Sequence, residues 1–305
     1  MTLPTTKSPL DQKSNALHIR DIPISKIIDG YRKFGIDVTA LFAGIKFLSL
    51  YKCQNSGYEF FLPGNISGDS KFYEKLQNFS WYYMPWKWEH EIALSYLADG
   101  NSLLEVGCAH GAFLKGASAR YKLSNSTGLE INESTPTFEN SFKIINLDLK
   151  DFQKDHKNSF DVVCSFQVLE HIFDVHAFLQ AKIDCLKPGG KLLISVPNND
   201  SFVGKSSSVL NMPPHHVGLW NSGSLKYLEQ LFSIKLETLL FEPLQPYHVE
   251  SHIQANLYSK LPRWLSIPIK RLDKVTGKHK KLKAEIEAKA SFIAGHTVLA
   301  VFSKL

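Results

Sequence analysis

The hydrophobic pattern of this chain changes character near residue 100. From 102 onward, short apolar runs alternate with stretches whose apolar positions recur at helical spacing. Residues 102–113 read Ser-Leu-Leu-Glu-Val-Gly-Cys-Ala-His-Gly-Ala-Phe. This pattern predicts a strand through Leu103, Leu104 and Val106 that breaks at Gly107 and turns into a helix near Gly111. Further strands are predicted over 126–129, 144–147, 160–166, 191–196, 234–241 and 296–302. The helix over 174–186 carries Val175, Phe178, Leu179 and Ile183 on one stripe, and Lys-Pro-Gly-Gly at 187–190 stops it. Strands alternating with helices predict an α/β fold: a seven-stranded, mostly parallel sheet with helices on both faces. Residues 244–294 are too many for a simple connection to the last strand and are expected to form a helical insertion on the substrate side.

Before residue 101 the pattern is different, and 1–100 is expected to be a small α+β module on the lid or substrate side of a main domain at 101–305. The first 16 residues are polar with two prolines and read as a loose arm. Residues 47–51 and 58–62 read as two strands of a hairpin around the turn at 54–57. The stretch from Trp81 to Trp88 holds five aromatics in eight positions and enters a helix over 87–97 with Trp88, Ile92 and Tyr96 at helical spacing. Core packing and a lid over a bound ligand are both open to it.

Composition changes this picture little: 44% hydrophobic and 21% charged residues suit a globular domain with a real core. No apolar run approaches the roughly 18 residues of a membrane span, and the N-terminus lacks a signal-peptide core. Cys53, Cys108, Cys164 and Cys185 show no metal or disulfide spacing, so reduced thiols in a cytoplasmic protein are expected. The net charge of +6 is uneven: 260–283 holds nine Lys or Arg against one acid, Asp273. Such a run suits an anionic substrate or a membrane surface as well as a solvated helix face. Without interleaved aromatics it does not predict nucleic-acid binding.

The candidate chemistry sits at strand ends. A strand, a glycine turn and a helix N-terminus form a nucleotide cradle in open α/β sheets. Here Glu105 stands beside the turn, which suits a cationic nucleoside and would repel a pyrophosphate. Gly-x-Gly-x-x-Gly is missing as well, so a nicotinamide-dependent oxidoreductase is disfavoured. Glu130, about 20 residues past the turn, stands where a ribose-binding acid belongs. Asp148 follows the third strand, where a carboxylate can accept an adenine amino hydrogen. His215 and His216 follow two prolines, and His171 begins a helix beside the fourth strand; an imidazole can serve as a base near neutral pH. No metal site is expected, because adjacent histidines without nearby acids seldom share an ion.

Four segments in order carry a family resemblance: Glu-Val-Gly-Cys-Ala-His-Gly, Gly-Leu-Glu, Phe-Asp-Val-Val followed by Leu-Glu-His, and Leu-Lys-Pro-Gly-Gly-Lys-Leu-Leu-Ile-Ser-Val-Pro-Asn. They resemble the successive motifs of class I S-adenosylmethionine-dependent methyltransferases, over 101–241 and again at 295–302. The ubiquinone-biosynthesis-like small-molecule branch, which includes saccharide-modifying enzymes, is the most similar in flavour. The resemblance implies a Rossmann-like sheet and S-adenosylmethionine as cofactor. It places Glu105, Gly107 and Gly111 at the methionine part, with Ala109 where the family has its middle glycine. It gives Glu130 to the ribose, Asp148 with Leu149 to the adenine, and Gln167 to the pocket wall.

The expected reaction is methylation of a small molecule at oxygen, with a sugar or saccharide precursor as acceptor. His216, His215 or His171 would serve as base or substrate anchor. The alternative is a module that binds the cofactor without turnover, or one associated with a membrane or partner through 260–283.

Overall fold

The computed structural model describes residues 5–79, 82, 84–131, 138–139 and 141–305. Its first four strands are β1 (Thr5–Lys7), β2 (Asn15–Pro23), β3 (Phe47–Cys53) and β4 (Glu59–Leu62), and neighbours in this series pair antiparallel. The expected hairpin is therefore β3–β4. β2 escapes sequence reading because its residues, Asn-Ala-Leu-His-Ile-Arg-Asp-Ile-Pro, show no period-two alternation over most of their length.

The main domain contributes β5 (Ser102–Val106), β6 (Asn125–Leu129), β7 (Phe138–Glu139), β8 (Phe142–Ile145), β9 (Phe160–Phe166), β10 (Leu186–Pro197), β11 (Gly218–Leu219), β12 (Ile234–Pro243) and β13 (Ala294–Lys304). Apart from β11, they form one sheet in the order β12-β13-β10-β9-β5-β6-β8-β7. β10, β9, β5, β6 and β8 run parallel, while β13 lies antiparallel between β10 and β12. These are the seven expected strands with the two-residue β7 added at one edge. Both faces are covered. Leu104, Val106, Val163, Leu192 and Ile194 enter one core, and their neighbours Leu103, Val162, Cys164, Leu193 and Leu299 enter the other. Burial on both faces explains why these strands read as continuous apolar runs.

The chain leaves β5 toward β6 on one side and returns to β9 on the other. That reversal opens a crevice beyond the carboxyl ends of β5 and β9, the place where open α/β sheets bind ligands.

Two expectations need correction. Residues 5–16 are not a loose arm. β1 pairs with β2, and Leu10 is fully buried in the main core. Tyr227 donates to the Asp11 carboxylate at 3.0 Å, and the Leu10 carbonyl accepts from His176 Nδ1 at 2.9 Å. Apolar burial at Leu10 outweighs the polar composition around it. The division near residue 100 is also crossed: β11, from the loop after β10, pairs with β4 and completes the N-terminal sheet. Within 244–294, helices Val249–Asn256, Arg263–Val275 and Lys278–Ala288 form, and Val249, Ile253 and Tyr258 pack against Phe202 and Val203.

Candidate active site

The end of β5 carries the first element of the site. Glu105 is buried, and its Oε2 has no hydrogen-bond partner although it borders a cleft. Burial first, and the nearby Glu130 second, push its carboxyl well above the usual range, against a backbone hydrogen bond from Leu114. A buried oxygen without a donor is costly, unless a ligand supplies the missing charge or donor. The cleft is walled by Gly107, Cys108, Ala109, Ala112, Phe113 and Phe166, and on its outer side by Met84, Pro85, Lys87 and His90.

The turn is shaped by backbone geometry. Gly107 has φ 76°, and a β-carbon there would come within 2.6 Å of Val168 Cγ2. Gly111, at φ 71°, is the N-cap of the helix Ala112–Arg120 and packs so closely on Phe142 that a β-carbon would stand 2.7 Å from its ring. Ala109 adopts φ 47°, the left-handed region in which a side chain costs about 1 kcal/mol or more. Its N–H donates to Glu130 Oε2 at 2.9 Å, and the N–H groups of Gly107 and Cys108 donate to the Leu129 carbonyl. The turn is thus tied to the end of β6, and Glu130 fastens it.

Asp148 sits differently from expectation. The third strand ends at Ile145, short of the predicted end, and Asp148 is the N-cap of the helix Leu149–Asp155. One of its carboxylate oxygens accepts the Lys150 N–H at 2.7 Å, which leaves the other oxygen for a ligand. Asp148 is exposed while Leu149 is buried beneath it. Gln167 ends β9 with φ 56°, its N–H donating to the Ser195 carbonyl. Its side-chain amide donates to Glu89 Oε1 at 3.1 Å.

Sequence reading missed Glu89 and the polar wall around it. Glu89 is buried in the first turn of the helix Trp88–Leu94. Across from it, burial and the Glu89 charge raise Glu242 to about 7. The signal available in the sequence was an acid followed by His90 inside an aromatic run. The aromatic run divides between core and cleft. Trp88, Ile92 and Tyr96 pack on the core, while Met84, Pro85, Lys87 and His90 border the cleft. Trp81 and Tyr83 lie outside the described residues.

The structure brings the three predicted histidines together. His171 lies in the turn after β9, His215 and His216 in the loop before β11, and the Glu170 carbonyl accepts the Val217 N–H at 2.8 Å to join the two segments. The rings of His215 and His216 stack with centroids 4.2 Å apart, and that of His171 meets them edge-on at 4.9 and 5.0 Å. Burial pulls His171 down to about 4, His215 to about 3 and His216 well below its ordinary value. Desolvation thus disfavours the protonated form of all three rings.

A model of the methyltransferase domain matches residues 80–239, just over half of the chain, and the chain belongs to that family. A probable S-adenosylmethionine-dependent methyltransferase of Mycolicibacterium smegmatis is 30% identical over 169 residues, covering 51% of this chain and 61% of that protein. A ubiquinone biosynthesis O-methyltransferase of Marinobacter nauticus is 27% identical over 150 residues, covering 42% of this chain and 62% of that protein. The chain thus spans about three fifths of the length of these relatives. A solved S-adenosylmethionine-dependent methyltransferase from Archaeoglobus fulgidus aligns over 70% of this chain and 94% of its own, at 19% identity and a TM-score of 0.45. S-adenosylmethionine, the cofactor expected from the motifs, is the one that the first of these relatives carries in its name.

Proposed function

We propose that this protein transfers the methyl group of S-adenosylmethionine to a hydroxyl oxygen of a small molecule. The carrying observation is the unpartnered, buried Glu105 oxygen at the wall of the cleft beside the glycine turn. The cofactor's cationic amino acid part would supply what that oxygen lacks. Glu130 would accept from the ribose hydroxyls, Asp148 and Leu149 would hold the adenine, and Gln167 would border the methyl donor. Methyl transfer is an in-line displacement at a sulfonium carbon, so most of the enzyme's task is alignment, worth roughly 7–11 kcal/mol when complete. The histidine cluster is where we place the acceptor hydroxyl, with His171, His215 and His216 as anchors rather than free bases.

The names of the ubiquinone-biosynthesis relatives favour oxygen as the nucleophile. A saccharide hydroxyl and an aromatic hydroxyl both meet that requirement. Calorimetry separates the cofactor reading from its rival: binding of S-adenosylmethionine with a Kd of about 1–100 μM and none of NADH are expected. Tight NADH binding without S-adenosylmethionine binding would sink it. Incubating acceptor panels with donor labelled at the methyl group then tells turnover from cofactor binding alone.

We also propose that 260–283 meets an anionic surface. On the helix Arg263–Val275, Trp264 is 76% exposed and Val275 86%, beside Lys270, Arg271 and Lys274. Exposed apolar residues flanked by lysines suit the headgroup layer of an anionic bilayer. Flotation with phosphatidylglycerol vesicles should carry the protein at low salt and lose most of it to Trp264→Ala. No flotation at low salt would overturn this part.

A further inference from the structure

We propose that His171, His215 and His216 form a binding site for a divalent cation of the zinc class. One ring nitrogen from each lies within 4.8 Å of the other two. The Nδ1 atom of each ring meets an oxygen acceptor. His171 Nδ1 meets the His215 carbonyl at 2.6 Å, and His215 Nδ1 meets the Leu210 carbonyl at 2.8 Å. His216 Nδ1 meets Asn211 Oδ1 at 3.1 Å. The amide of Asn211 is oriented by its own donation to Asn199 Oδ1 at 2.8 Å, so its oxygen is the atom that faces the imidazole.

An oxygen acceptor can only receive a proton, so each histidine carries its hydrogen on Nδ1 and a lone pair on Nε2. That is the tautomer of a metal-binding imidazole whose outer nitrogen is anchored by a carbonyl. Three neutral rings clamped in this way from three different acceptors exceed what core packing requires. A hydrogen-bond network among the three would instead alternate donors and acceptors from ring to ring.

A second feature points to a cation. Glu170 is 1% exposed, its Oε2 has no hydrogen-bond partner, and its Oε1 is 4.0 Å from His171 Nε2. A buried carboxyl oxygen without a donor, standing beside the imidazole nitrogens, is satisfied when a cation is placed between them. Tyr82, whose hydroxyl now lies 2.9 Å from His215 Nε2, would be displaced or would turn its oxygen to the cation. Metal–nitrogen bonds of about 2.0–2.1 Å require the nitrogens to close to about 3.3 Å in a tetrahedral site.

Imidazole donors select zinc, cobalt, nickel or copper over magnesium and calcium. Three imidazoles also leave a fourth position open for an oxygen. Cation binding stands independently of methyl transfer, whereas a role in holding the acceptor hydroxyl rests on the proposed reaction.

Chelator-treated full-length protein should be titrated with cobalt(II) while its visible absorption is followed. One equivalent with the intense d–d bands of a tetrahedral nitrogen site is expected, reversed by zinc and untouched by magnesium. His216→Ala should weaken cobalt binding at least 100-fold, and Asn211→Ala, which removes only the anchor, about 10–100-fold. Melting curves and S-adenosylmethionine calorimetry on the same samples distinguish loss of the cation site from loss of fold, and failure of this site from failure of the cofactor reading. Substoichiometric cobalt uptake by folded protein, or uptake that His216→Ala leaves unchanged, would overturn the proposal.

Discussion

Glu130→Ala is expected to weaken S-adenosylmethionine binding by about two to three orders of magnitude. Two hydrogen bonds from ribose hydroxyls to one carboxylate are each worth about 1.5–3 kcal/mol when the acceptor is charged. Their loss alone accounts for a hundredfold or more. A second contribution comes from the turn, because Glu130 Oε2 also accepts the Ala109 N–H. Without that bond the turn keeps the Leu129 carbonyl contacts to β6, and Ala109 loses an acceptor that helps hold its left-handed conformation. Glu130→Gln keeps an acceptor oxygen and should fall between the wild type and Glu130→Ala. Calorimetry on the three proteins tests the ranking. An affinity for Glu130→Ala within threefold of wild type would remove the ribose role.

The cofactor half of this site was legible because its determinants are local. Residues 102–113 contain the strand, the turn and the helix start within one window, and Glu130 follows at a spacing fixed by a single helix and strand. The parallel strands were legible for a related reason: burial on both faces writes itself as an unbroken apolar run. What failed depends on distant partners. Leu10 is buried by the helix Val175–Cys185 and the segment around Phe232, so no neighbour in sequence announces it. β11 is two residues long and exists only because β4 offers an edge. Asp148 reads as a strand tip because 144–147 looks apolar, yet Leu147 is exposed and the strand stops at Ile145. Each histidine stands out in the sequence by itself, but their convergence on one another comes from the pairing of the loop before β11 with the turn after β9. No spacing rule spans those 44 residues.

Glu105→Gln should do two opposite things: abolish most cofactor affinity and stabilise the empty protein. In the free protein the carboxyl titrates well above its ordinary value because it is buried and near Glu130. A group whose folded pKa exceeds its unfolded one supports folding below the unfolded value, near 4.5, and that support is lost as pH rises through the folded value. The empty wild type should therefore lose stability with rising pH across this window, and Glu105→Gln should not. Above the folded value the variant is expected to melt a few degrees higher, since an amide replaces a carboxylate that has one oxygen without a partner. The cofactor reverses the balance. A cation beside Glu105 favours its ionised form, so binding should release a proton below the folded value and tighten as pH rises toward it. Calorimetry in buffers of different ionisation enthalpy reads that proton directly. In Glu105→Gln the release should disappear, and affinity should fall at least about a hundredfold with the loss of a buried charge partner. A variant that melts lower than wild type across the whole alkaline range while still binding S-adenosylmethionine normally would mean that the oxygen is a packing element and the cationic ligand lies elsewhere.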